Sequence, residues 1–459
     1  HRDLHSFPTR RSSDLNIPAD VYWGIHTQRA LGNFNISGYH IPVRLIKAMA
    51  QVKAACALAN SELGYLSLEI ASAIIGACRE IESGTHDAHF PLDALQGGAG
   101  TSTNMNINEV VANRALELLG HPPGSYHIIH PIEHVNLHQS TNDVYPTALK
   151  AAAIFALKEL SDTASALQGA LQAKEKEFAS ILTIGRTELQ DAVPITLGSQ
   201  FTTFAEAIAR DRWRTFKSEE RLRVVNLGGT AVGTGLTAPK KYIFLVIEKL
   251  RAITGFGLSR AEQPMDPTAN ADVFVEVSGM LDSHAANITK IASDLRLLHF
   301  LGELKLPPCQ AGSSIMPGKV NPVIIESAIQ AGLKVAANHR LLSECVSRGT
   351  LQINEFMPLI AFTFLESLDM LISTDKMLAS HVYGIRADEE ACKSRFDSNT
   401  VIITAFVPKL GYGKCEELLK EYRSTGRADF RDFLAEKLGT ELTDSILSPS
   451  NLLSLGFRQ

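Results

Sequence analysis

Apolar residues recur at helical spacing over unusually long runs between residues 143 and 385, and this pattern constrains the fold more than any other feature. Side chains at steps of three and four residues share one face of an α-helix. Helices of this length are typical of bundles, so we predict an all-α fold with a central bundle of about five long helices. The patterns include Leu157, Leu160, Ala164, Leu167 and Leu171 and cover residues 200–226, 271–300, 322–347 and 354–380.

The regions that flank the predicted bundle differ from it in composition. Residues 16–142 mix shorter helical patterns with glycine-rich and hydroxyl-rich loops, and residues 386–459 form a short helical tail. We therefore predict three domains: an N-terminal domain over 16–142, the central bundle over 143–385 and a small C-terminal helical domain over 386–459. Residues 1–15 are rich in Arg, Ser and His and lack the apolar core of a signal peptide, which favours an artefact or a disordered extension.

The composition argues against several kinds of partner. With 45% hydrophobic residues, 20% charged residues and a net charge of -5, the chain is typical of a soluble protein with a large core. No basic cluster is interleaved with aromatic residues, so we expect no nucleic-acid partner. No stretch of about 18 uninterrupted apolar residues is present, so we expect no membrane-spanning helix. The six cysteines lie far apart without a Cys-x-x-Cys pair, which favours reduced thiols in the cytoplasm.

Residues 312–322, with the sequence GSSIMPGKVNP, crowd two hydroxyls, a lysine and an amide in front of a predicted helix. Asn321 suits the N-cap and Pro322 the first helical position, so the partly positive end of that helix should face the serines. Lys319 adds a full positive charge, and helix N-termini bind carboxylates. Taken piecewise, such residues are most often a turn and an ordinary cap. The whole run is more specific and predicts a catalytic loop that binds an anion.

Two further helix starts carry more side-chain donors than a cap needs. Thr101 lies in a glycine-rich and hydroxyl-rich stretch, residues 97–106, that runs into a helical pattern. Ser140, Thr141 and Asn142 precede the next long helical pattern in the same way. Each of these alone is an ordinary cap. Three such starts in one chain indicate converging sites for small anions, because every helix start offers unpaired N–H groups.

Two other patterns suggest binding sites only superficially. Residues 228–235 are glycine-rich like a phosphate loop, but no Gly-Lys-Ser/Thr follows, so we expect a helix that packs closely through small residues. His130, His134 and His138 are spaced by four residues, as metal ligands on a helix could be. They lack a carboxylate or cysteine partner, and Pro131 disfavours a regular helix. We therefore expect hydrogen-bonded histidines and no metal site.

Residues 312–322 resemble the signature of the fumarase/aspartase superfamily, and Gly318 in that signature is similar to the fumarase and aspartase branches. Three other stretches are similar to further characteristic blocks of the superfamily, in the same order and at similar spacing: residues 100–106, 139–147 and 185–192. The resemblance covers residues 16–459 and implies the three-domain helical fold of these lyases. The stretches that resemble aspartases more than fumarases are residues 36–39, 189–194, 225–228, 351–354 and 357–360.

The resemblance implies an enzyme, a carbon-nitrogen lyase that reversibly eliminates ammonia from L-aspartate to give fumarate. A proton beside a carboxylate is very weakly acidic, so its removal needs a base and stabilisation of the resulting aci-carboxylate dianion. The resemblance implies that Ser313 is the base, that no cofactor is required, and that three subunits of a homotetramer share each site. It assigns the β-carboxylate to Thr101, Ser140, Thr141 and Ser314, the α-carboxylate to Lys319 and Asn321, and the amino group to Asn142 and Thr187.

Two positions depart from the family pattern. Glu188 stands where relatives commonly have His or Gln, beside the leaving group. Its carboxylate could pair with the substrate ammonium and favour amine over hydroxyl elimination, or it could turn toward Arg186. The link over residues 298–304 is shorter than usual and lacks the expected Gly-Pro-Arg turn. Closure of the Ser313 loop could therefore differ from that of relatives.

Three alternatives to the aspartase activity stay open at this point. The first two are enzymes: a class II fumarase that converts L-malate to fumarate, and a lyase for a related amino diacid. The third is a binding or structural homologue that keeps the fold without catalysis. Retention of Ser313, Lys319 and Asn321 argues against the third, because the fold alone does not require a serine base.

Overall fold

The computed structural model describes residues 15–454 and residue 456. The described chain is mainly helical, which confirms the predicted all-α class. The prediction for residues 1–15 lies outside the described residues except for Leu15. The helices are α1 (Ile25–Asn33), α2 (Val43–Glu62), α3 (Leu68–Ser83), α4 (Thr101–Leu118), α5 (Thr141–Glu177), α6 (Leu197–Leu222), α7 (Lys240–Thr254), α8 (Met265–Ala269), α9 (Asp272–Phe300), α10 (Val323–Val346), α11 (Met357–Tyr383), α12 (Glu389–Ser398), α13 (Val407–Leu410), α14 (Tyr412–Thr425), α15 (Phe430–Leu438), α16 (Thr440–Ile446) and α17 (Pro449–Leu452).

Short strands accompany these helices in three two-stranded sheets within the described part of the chain. An antiparallel hairpin joins β1 (Leu182–Thr187) to β2 (Gln190–Thr196), with a register shift between Gly185 and Arg186. The other two pairs are the parallel β3 (Val224–Val225) and β4 (Ser259–Arg260), and the antiparallel β5 (Leu304–Lys305) and β6 (Arg386–Ala387).

Five helices are longer than α2, which has 20 residues and is the next longest in the described chain. They are α5 with 37 residues, α6 with 26, α9 with 29, α10 with 24 and α11 with 27. The pattern from Leu157 to Leu171 lies within α5, and each of the other four coincides within a few residues with one of the apolar patterns in the sequence. The predicted bundle of five long helices is therefore confirmed.

The chain forms two compact units. The first consists of residues up to Glu159 together with Arg214–Asp282 and Lys334–Met370, and the second consists of Leu160–Trp213, Ser283–Leu333 and the chain from Leu371 onward. Each unit contains part of every long helix. The division into domains at residues 142 and 385 stays a prediction.

In the first unit, α2 packs against α3 and α7, and α3 packs against α4. Helix α1 has no side-chain cap of its own. Its first amides are instead satisfied by the buried carboxylate of Glu109 on α4, which accepts from the N–H groups of Gly24, His26 and Thr27 at 2.9, 2.8 and 3.1 Å. Glu109 on α4 therefore takes the place of a local N-cap residue at the start of α1.

In the second unit, a buried histidine joins three long helices. His284 on α9 lies between Asp211 on α6, at 3.0 Å from Nδ1, and Asp375 on α11, at 3.1 Å from Nε2. Asn287 also donates to Asp211, at 2.8 Å. Burial opposes the charged imidazolium, but the carboxylates of Asp375 and Asp211 outweigh it and raise the pKa of His284 to about 10. The helices are therefore joined by an ion triad as well as by apolar packing.

The second unit also contains a separate apolar cluster near the C-terminus. Phe396, Phe406, Phe430 and Phe433 are almost completely buried together. Ile184 of β1 belongs to the same cluster. The β1–β2 hairpin is thereby fastened to the C-terminal helices, although its tip is exposed.

The expectation of a helix over residues 228–235 is wrong. These residues form a loop in which Gly228, Gly233 and Gly235 have φ angles of 89°, 87° and 67°. A right-handed helix cannot contain such torsions. A side chain at Gly233 would also meet the backbone of Met265 at 2.4 Å. The glycines allow a tight loop to pack against neighbouring backbone.

Helix α11 is long and apolar enough to cross a membrane by length and composition, and it is the one such helix in the described residues. Of its most apolar window, 67% is buried inside the protein. A mostly buried apolar helix is what the core of a helical bundle requires.

Candidate active site

The ten residues that the sequence assigns to the site fall into two groups. The helix-start group lies in the first unit and comprises Thr101, Ser140, Thr141 and Asn142. The loop group lies in the second unit and comprises Thr187, Glu188, Ser313, Ser314, Lys319 and Asn321.

Ser140 caps helix α5. Its Oγ accepts from the N–H of Asn142 at 3.2 Å, and its carbonyl accepts from the N–H of Val144 at 3.1 Å. The Ser140 hydroxyl is thus an acceptor within the cap, and its proton is left for a ligand. Thr141 follows at the first turn and is buried.

Asp143 holds this helix start in place, a role that the sequence did not indicate. One carboxylate oxygen accepts from the N–H of Ser140 at 2.9 Å, and the other accepts from the N–H groups of Gly228 and Thr230, each at 3.0 Å. Burial raises the pKa of Asp143 to about 6, despite these hydrogen bonds. The glycine-rich loop is therefore bound to the start of α5 by a buried carboxyl group.

Asn142 is fixed on both sides. Its Nδ2 donates to the carbonyl of Ala231 at 2.7 Å, and its own carbonyl accepts from Nδ2 of Asn226 at 3.0 Å. The second bond replaces the helical one that Pro146, which lacks an N–H, cannot make. Because the Asn142 amide nitrogen is engaged, its Oδ1 is the atom that can accept from a ligand.

Thr101 begins α4 close to the same helix start. Gly100 precedes it with a φ of 91°, and a side chain at Gly100 would come within 2.4 Å of the Tyr145 ring on α5. Only glycine permits this approach. The Oγ1 of Thr101 donates to the carbonyl of Gly98 at 2.7 Å, so the hydroxyl must rotate before it can donate to a carboxylate.

Residues 312–321 form a closed loop. The N–H of Gly312 donates to the carbonyl of Lys319 at 2.7 Å, and Nδ2 of Asn321 donates to the carbonyl of Gly312 at 3.0 Å. Helix α10 begins at Val323, so the predicted N-cap role of Asn321 and first-turn role of Pro322 are wrong. The Asn321 side chain closes the loop instead of capping the helix, and one of its two N–H groups is left for a ligand.

The hydroxyl oxygen of Ser313 accepts two backbone hydrogen bonds within this loop. The donors are the N–H groups of Ile315 and Met316, at 3.2 and 3.1 Å. Two N–H dipoles directed at an oxygen favour its negatively charged form. Ser314 and Lys319 are exposed on the same loop, and Ile315 at its tip is 84% exposed.

Thr187 and Glu188 lie on a different element, the tip of the β1–β2 hairpin. Glu188 and Leu189 have φ angles of 53° and 61°, which are unfavourable for residues with side chains. Strained torsions of this kind cluster at functional sites, where the surrounding structure maintains them. Glu188 also lines a cavity of about 300 Å³ beneath the hairpin.

Arg186 does not pair with Glu188. It donates to Asp191 at 3.1 Å and to the fully buried carboxylate of Glu303 at 2.5 Å. Glu303 belongs to the short link after α9 that departs from the family pattern. This link therefore braces β1 next to the hairpin tip, a role that the sequence did not indicate.

The three histidines that are spaced by four residues form hydrogen bonds within the protein. His130 caps a π-helical turn, Pro131–Val135, through Nδ1, and His134 accepts from the N–H of His130 at 2.8 Å. Nδ1 of His138 lies 2.7 Å from Oδ1 of Asn60. Among the described residues, no group of three or more His, Cys, Asp or Glu side chains could hold a metal ion.

A small cavity adjoins Asn142 in the first unit. Its volume is about 20 Å³, which is room for one water molecule. Ile353, Asn354 and Met357 line it together with Asn142. Two stretches that resemble aspartases, residues 351–354 and 357–360, thus contribute side chains beside a predicted site residue.

Comparison with known proteins agrees with this architecture. A family profile described as "Lyase" matches residues 13–337. An aspartate ammonia-lyase from Pseudomonas aeruginosa is 43% identical over 451 residues, which cover 96% of this chain and 95% of the relative. A crystal structure titled fumarate lyase:delta crystallin from Brucella melitensis has a TM-score of 0.91 and 41% identity, with 96% of this chain and 97% of that chain covered.

A more distant solved structure is the recombinant class II fumarase from Schistosoma mansoni. Its TM-score is 0.88 and its identity is 31%, with 95% of this chain and 97% of that chain covered. The chain therefore belongs to the lyase family of the fumarase/aspartase superfamily. Within that family it falls on the aspartate ammonia-lyase branch, as the sequence blocks predicted.

Proposed function

We propose that this enzyme reversibly eliminates ammonia from L-aspartate to give fumarate, with Ser313 as the base. Relatives named aspartate ammonia-lyases at 41–43% identity support the reaction. The observation that carries the mechanism is the pair of backbone N–H groups, from Ile315 and Met316, on the Ser313 hydroxyl oxygen. The base removes a proton from the carbon beside the β-carboxylate, and ammonia leaves from the neighbouring carbon.

A serine hydroxyl is normally a poor base, so its alkoxide must be stabilised. The two N–H groups at 3.2 and 3.1 Å lower the free energy of the alkoxide relative to the hydroxyl. The exposed Lys319 on the same loop adds a positive charge, and exclusion of water on substrate binding would strengthen all three interactions. The apolar loop tip at Ile315 suits such a closing motion.

The helix-start group suits the β-carboxylate, on which negative charge accumulates. The Ser140 hydroxyl proton is available, and the N-terminal end of α5 carries a partial positive charge. Asp143 fixes these donors before substrate binds, so no reorganisation is needed as the charge develops. Thr101 and Ser314 would add hydroxyl donors, and Lys319 and Asn321 would hold the α-carboxylate.

The side chain of Asn142 is better suited to bind an ammonium leaving group than a hydroxyl leaving group. The Asn142 nitrogen is engaged by Ala231, which leaves Oδ1 to accept from an ammonium group. Ile353 and Asn354, from a stretch that resembles aspartases, lie beside it. Thr187 and Glu188, with three side-chain acceptor oxygens between them, would complete the environment of the ammonium.

We further propose a cytoplasmic homotetramer whose sites are shared between subunits, as the family resemblance implies. Apolar side chains exposed on α10 support an interface: Leu333 is 62% exposed and Leu341 is 42% exposed. In such an assembly the loop group of one subunit would act with the helix-start group of another. No cofactor takes part in this mechanism.

A paired assay tests the proposal. Fumarate has a strong ultraviolet absorbance, and its formation is followed with L-aspartate and, separately, with L-malate. We expect L-aspartate to be deaminated and L-malate not to be appreciably dehydrated. Preference for L-malate would identify a class II fumarase, and turnover of neither substrate would favour another amino diacid or a non-catalytic homologue.

A further inference from the structure

A lysine is completely buried in the first unit, next to the helix-start group. Lys53 on α2 has no exposed surface. Its Nζ donates to Oδ1 of Asn136 at 2.9 Å and to Oε1 of Gln139 at 2.8 Å. An ammonium group is costly to bury and is retained where its hydrogen bonds hold other groups in place. Both acceptors here belong to the short segment that leads into Ser140.

Asn136 is the centre of a wider network. Its Oδ1 accepts from Nδ2 of Asn104 at 3.1 Å and from Nδ2 of Asn108 at 3.2 Å, in addition to Lys53. Asn104 and Asn108 lie one turn apart on α4, the helix that begins at Thr101. A single amide oxygen thus connects α2, α4 and the segment that leads into Ser140.

The segment from Asn136 to Gln139 has no regular structure of its own to hold it. His138 has a φ of 60°, and α2 holds this turn through Asn60, which donates to the carbonyl of Leu137 at 3.2 Å. Gln139 donates back to the carbonyl of Val135 at 2.9 Å. Side chains of neighbouring helices therefore determine where Ser140 is presented.

We propose that Lys53 and Asn136 are positioning residues that hold Thr101 and the Ser140–Asn142 segment in the one arrangement that binds a dicarboxylate. The inference rests on the proposed function, because it concerns the same binding groups. Lys53 acts through Gln139 on the start of α5, and Asn136 acts through Asn104 and Asn108 on the start of α4.

The charge of Lys53 adds a measurable signature. The groups that influence it are Cys56 on its own helix, Cys78 on α3 and Asp143 on α5. Burial raises the pKa of both thiols to about 12, so Asp143 is the charged neighbour near neutral pH. Burial lowers the pKa of Lys53 to about 8. Above that pH, Asp143 loses its buried counter-charge, and binding of the fumarate dianion should weaken.

The test compares two variants, Lys53→Met and Lys150→Met. Lys150 is a matched control because it is also buried, with a pKa lowered by burial to about 8, and it donates to the carbonyl of Val224 at 2.7 Å. We expect Lys53→Met to raise the fumarate Ki about tenfold or more, the loss expected for one hydrogen bond to a charged group. In the wild-type enzyme the fumarate Ki should rise above about pH 8, and in Lys53→Met this rise should be absent. Lys150→Met should keep the wild-type Ki and its pH dependence.

A second measurement does not depend on catalysis. Amide hydrogen exchange should accelerate over residues 136–142 in Lys53→Met and not in Lys150→Met, even if the wild-type enzyme acts on neither substrate. Equal exchange and equal Ki in the two variants would overturn the inference. If Lys53→Met does not fold, Gln139→Leu replaces it, because that variant removes one acceptor of Lys53 and keeps the charge. Gln139→Leu should accelerate amide exchange over residues 136–142 in the same way. Unchanged exchange in Gln139→Leu would also overturn the inference.

Discussion

The helix-start group and the loop group are held in different ways. Ser140 is held by the buried Asp143 and follows the segment held by Lys53 and Asn136, and Asn142 is held by Ala231 and the buried Asn226. The loop group lies on exposed backbone: the tip of the Ser313 loop is 84% exposed at Ile315, and the hairpin tip is 72% exposed at Leu189. Buried hydrogen bonds hold Ser140 and Asn142 of the first group, whereas the second group lies on exposed loop and hairpin tips.

The two groups have different roles in the proposed reaction: the helix-start group stabilises the developing charge, and the loop group removes the proton. A group that stabilises developing charge is most effective when its donors are already oriented. A base that must exclude water benefits from a loop that closes after substrate binds. We therefore expect substitutions in the loop group to alter kcat, and substitutions beneath the helix-start group to alter dicarboxylate binding.

The largest expected effect in the loop group is that of Ser313→Ala. We expect kcat to fall by at least ~10²-fold, the lower end for loss of a positioned base. The side chain is half-buried, and its hydrogen bonds are confined to its own loop, so the assembly should stay intact by size-exclusion chromatography. Near-normal turnover in the purified variant would show that another residue takes the proton.

His284→Leu tests whether the core of the second unit can be weakened without disturbing its loops. Loss of the imidazolium removes a buried positive charge from between Asp211 and Asp375, so we expect the free energy of unfolding, measured in urea, to fall by about 3 to 5 kcal/mol. Where the variant is folded, kcat should be close to the wild-type value. A large loss of kcat in folded protein would mean that the loops depend on this triad.

The same triad predicts a pH dependence of wild-type stability. The folded pKa of His284, about 10, lies above the unfolded value of about 6.5. Its contribution is therefore fully present below about pH 6.5 and is lost as the pH rises through 10. His339→Leu is the control, because its Nδ1 contacts the Ser278 hydroxyl at 2.6 Å and no carboxylate is involved. That variant should keep the alkaline loss of stability, and His284→Leu should not.

Gly312→Ala tests the closed form of the Ser313 loop. A side chain there would lie 2.9 Å from the Lys319 carbonyl and 3.0 Å from Asn321, so the loop must open. We expect kcat to fall about 10- to 100-fold, as for a small misplacement of a reacting group, with little change in the urea midpoint. Gly169→Ala is the control, since a side chain there meets nothing within 4 Å. Equal kcat in both variants would contradict a role for loop geometry.

Much of the fold could be predicted from the sequence, because long helices carry their own periodic signal. The pattern through Leu157 and Leu171 lies within α5, and the other four long patterns fall on α6, α9, α10 and α11. Glycine is harder to interpret, because it allows close packing in a helix and left-handed torsions in a loop. Residues 228–235 use the second property, which only tertiary contacts reveal.

The residues that hold the site in place were harder to find than those assigned to bind the substrate. Ser313 and Ser140 stand in recognisable stretches, whereas Asp143, Lys53 and Glu303 act through partners that are distant in sequence. A signal existed for Asp143, which directly follows the Ser140–Asn142 stretch. Nothing in the sequence pairs Lys53 with Asn136, 83 residues away.

The smallest expected effect concerns Glu188, the departure most relevant to substrate choice. If its exposed carboxylate contacts the leaving ammonium, Glu188→Gln should raise the aspartate KM about two- to fivefold, the range for an exposed ion pair. Fumarate carries no ammonium, so its Ki should stay nearly constant. Asp191→Asn is the matched control, because it removes a partner of Arg186 next to the hairpin tip and should shift both constants together. If the aspartate KM and the fumarate Ki shift together in Glu188→Gln, Glu188 only braces the hairpin. If neither constant changes, Glu188 lies outside the site.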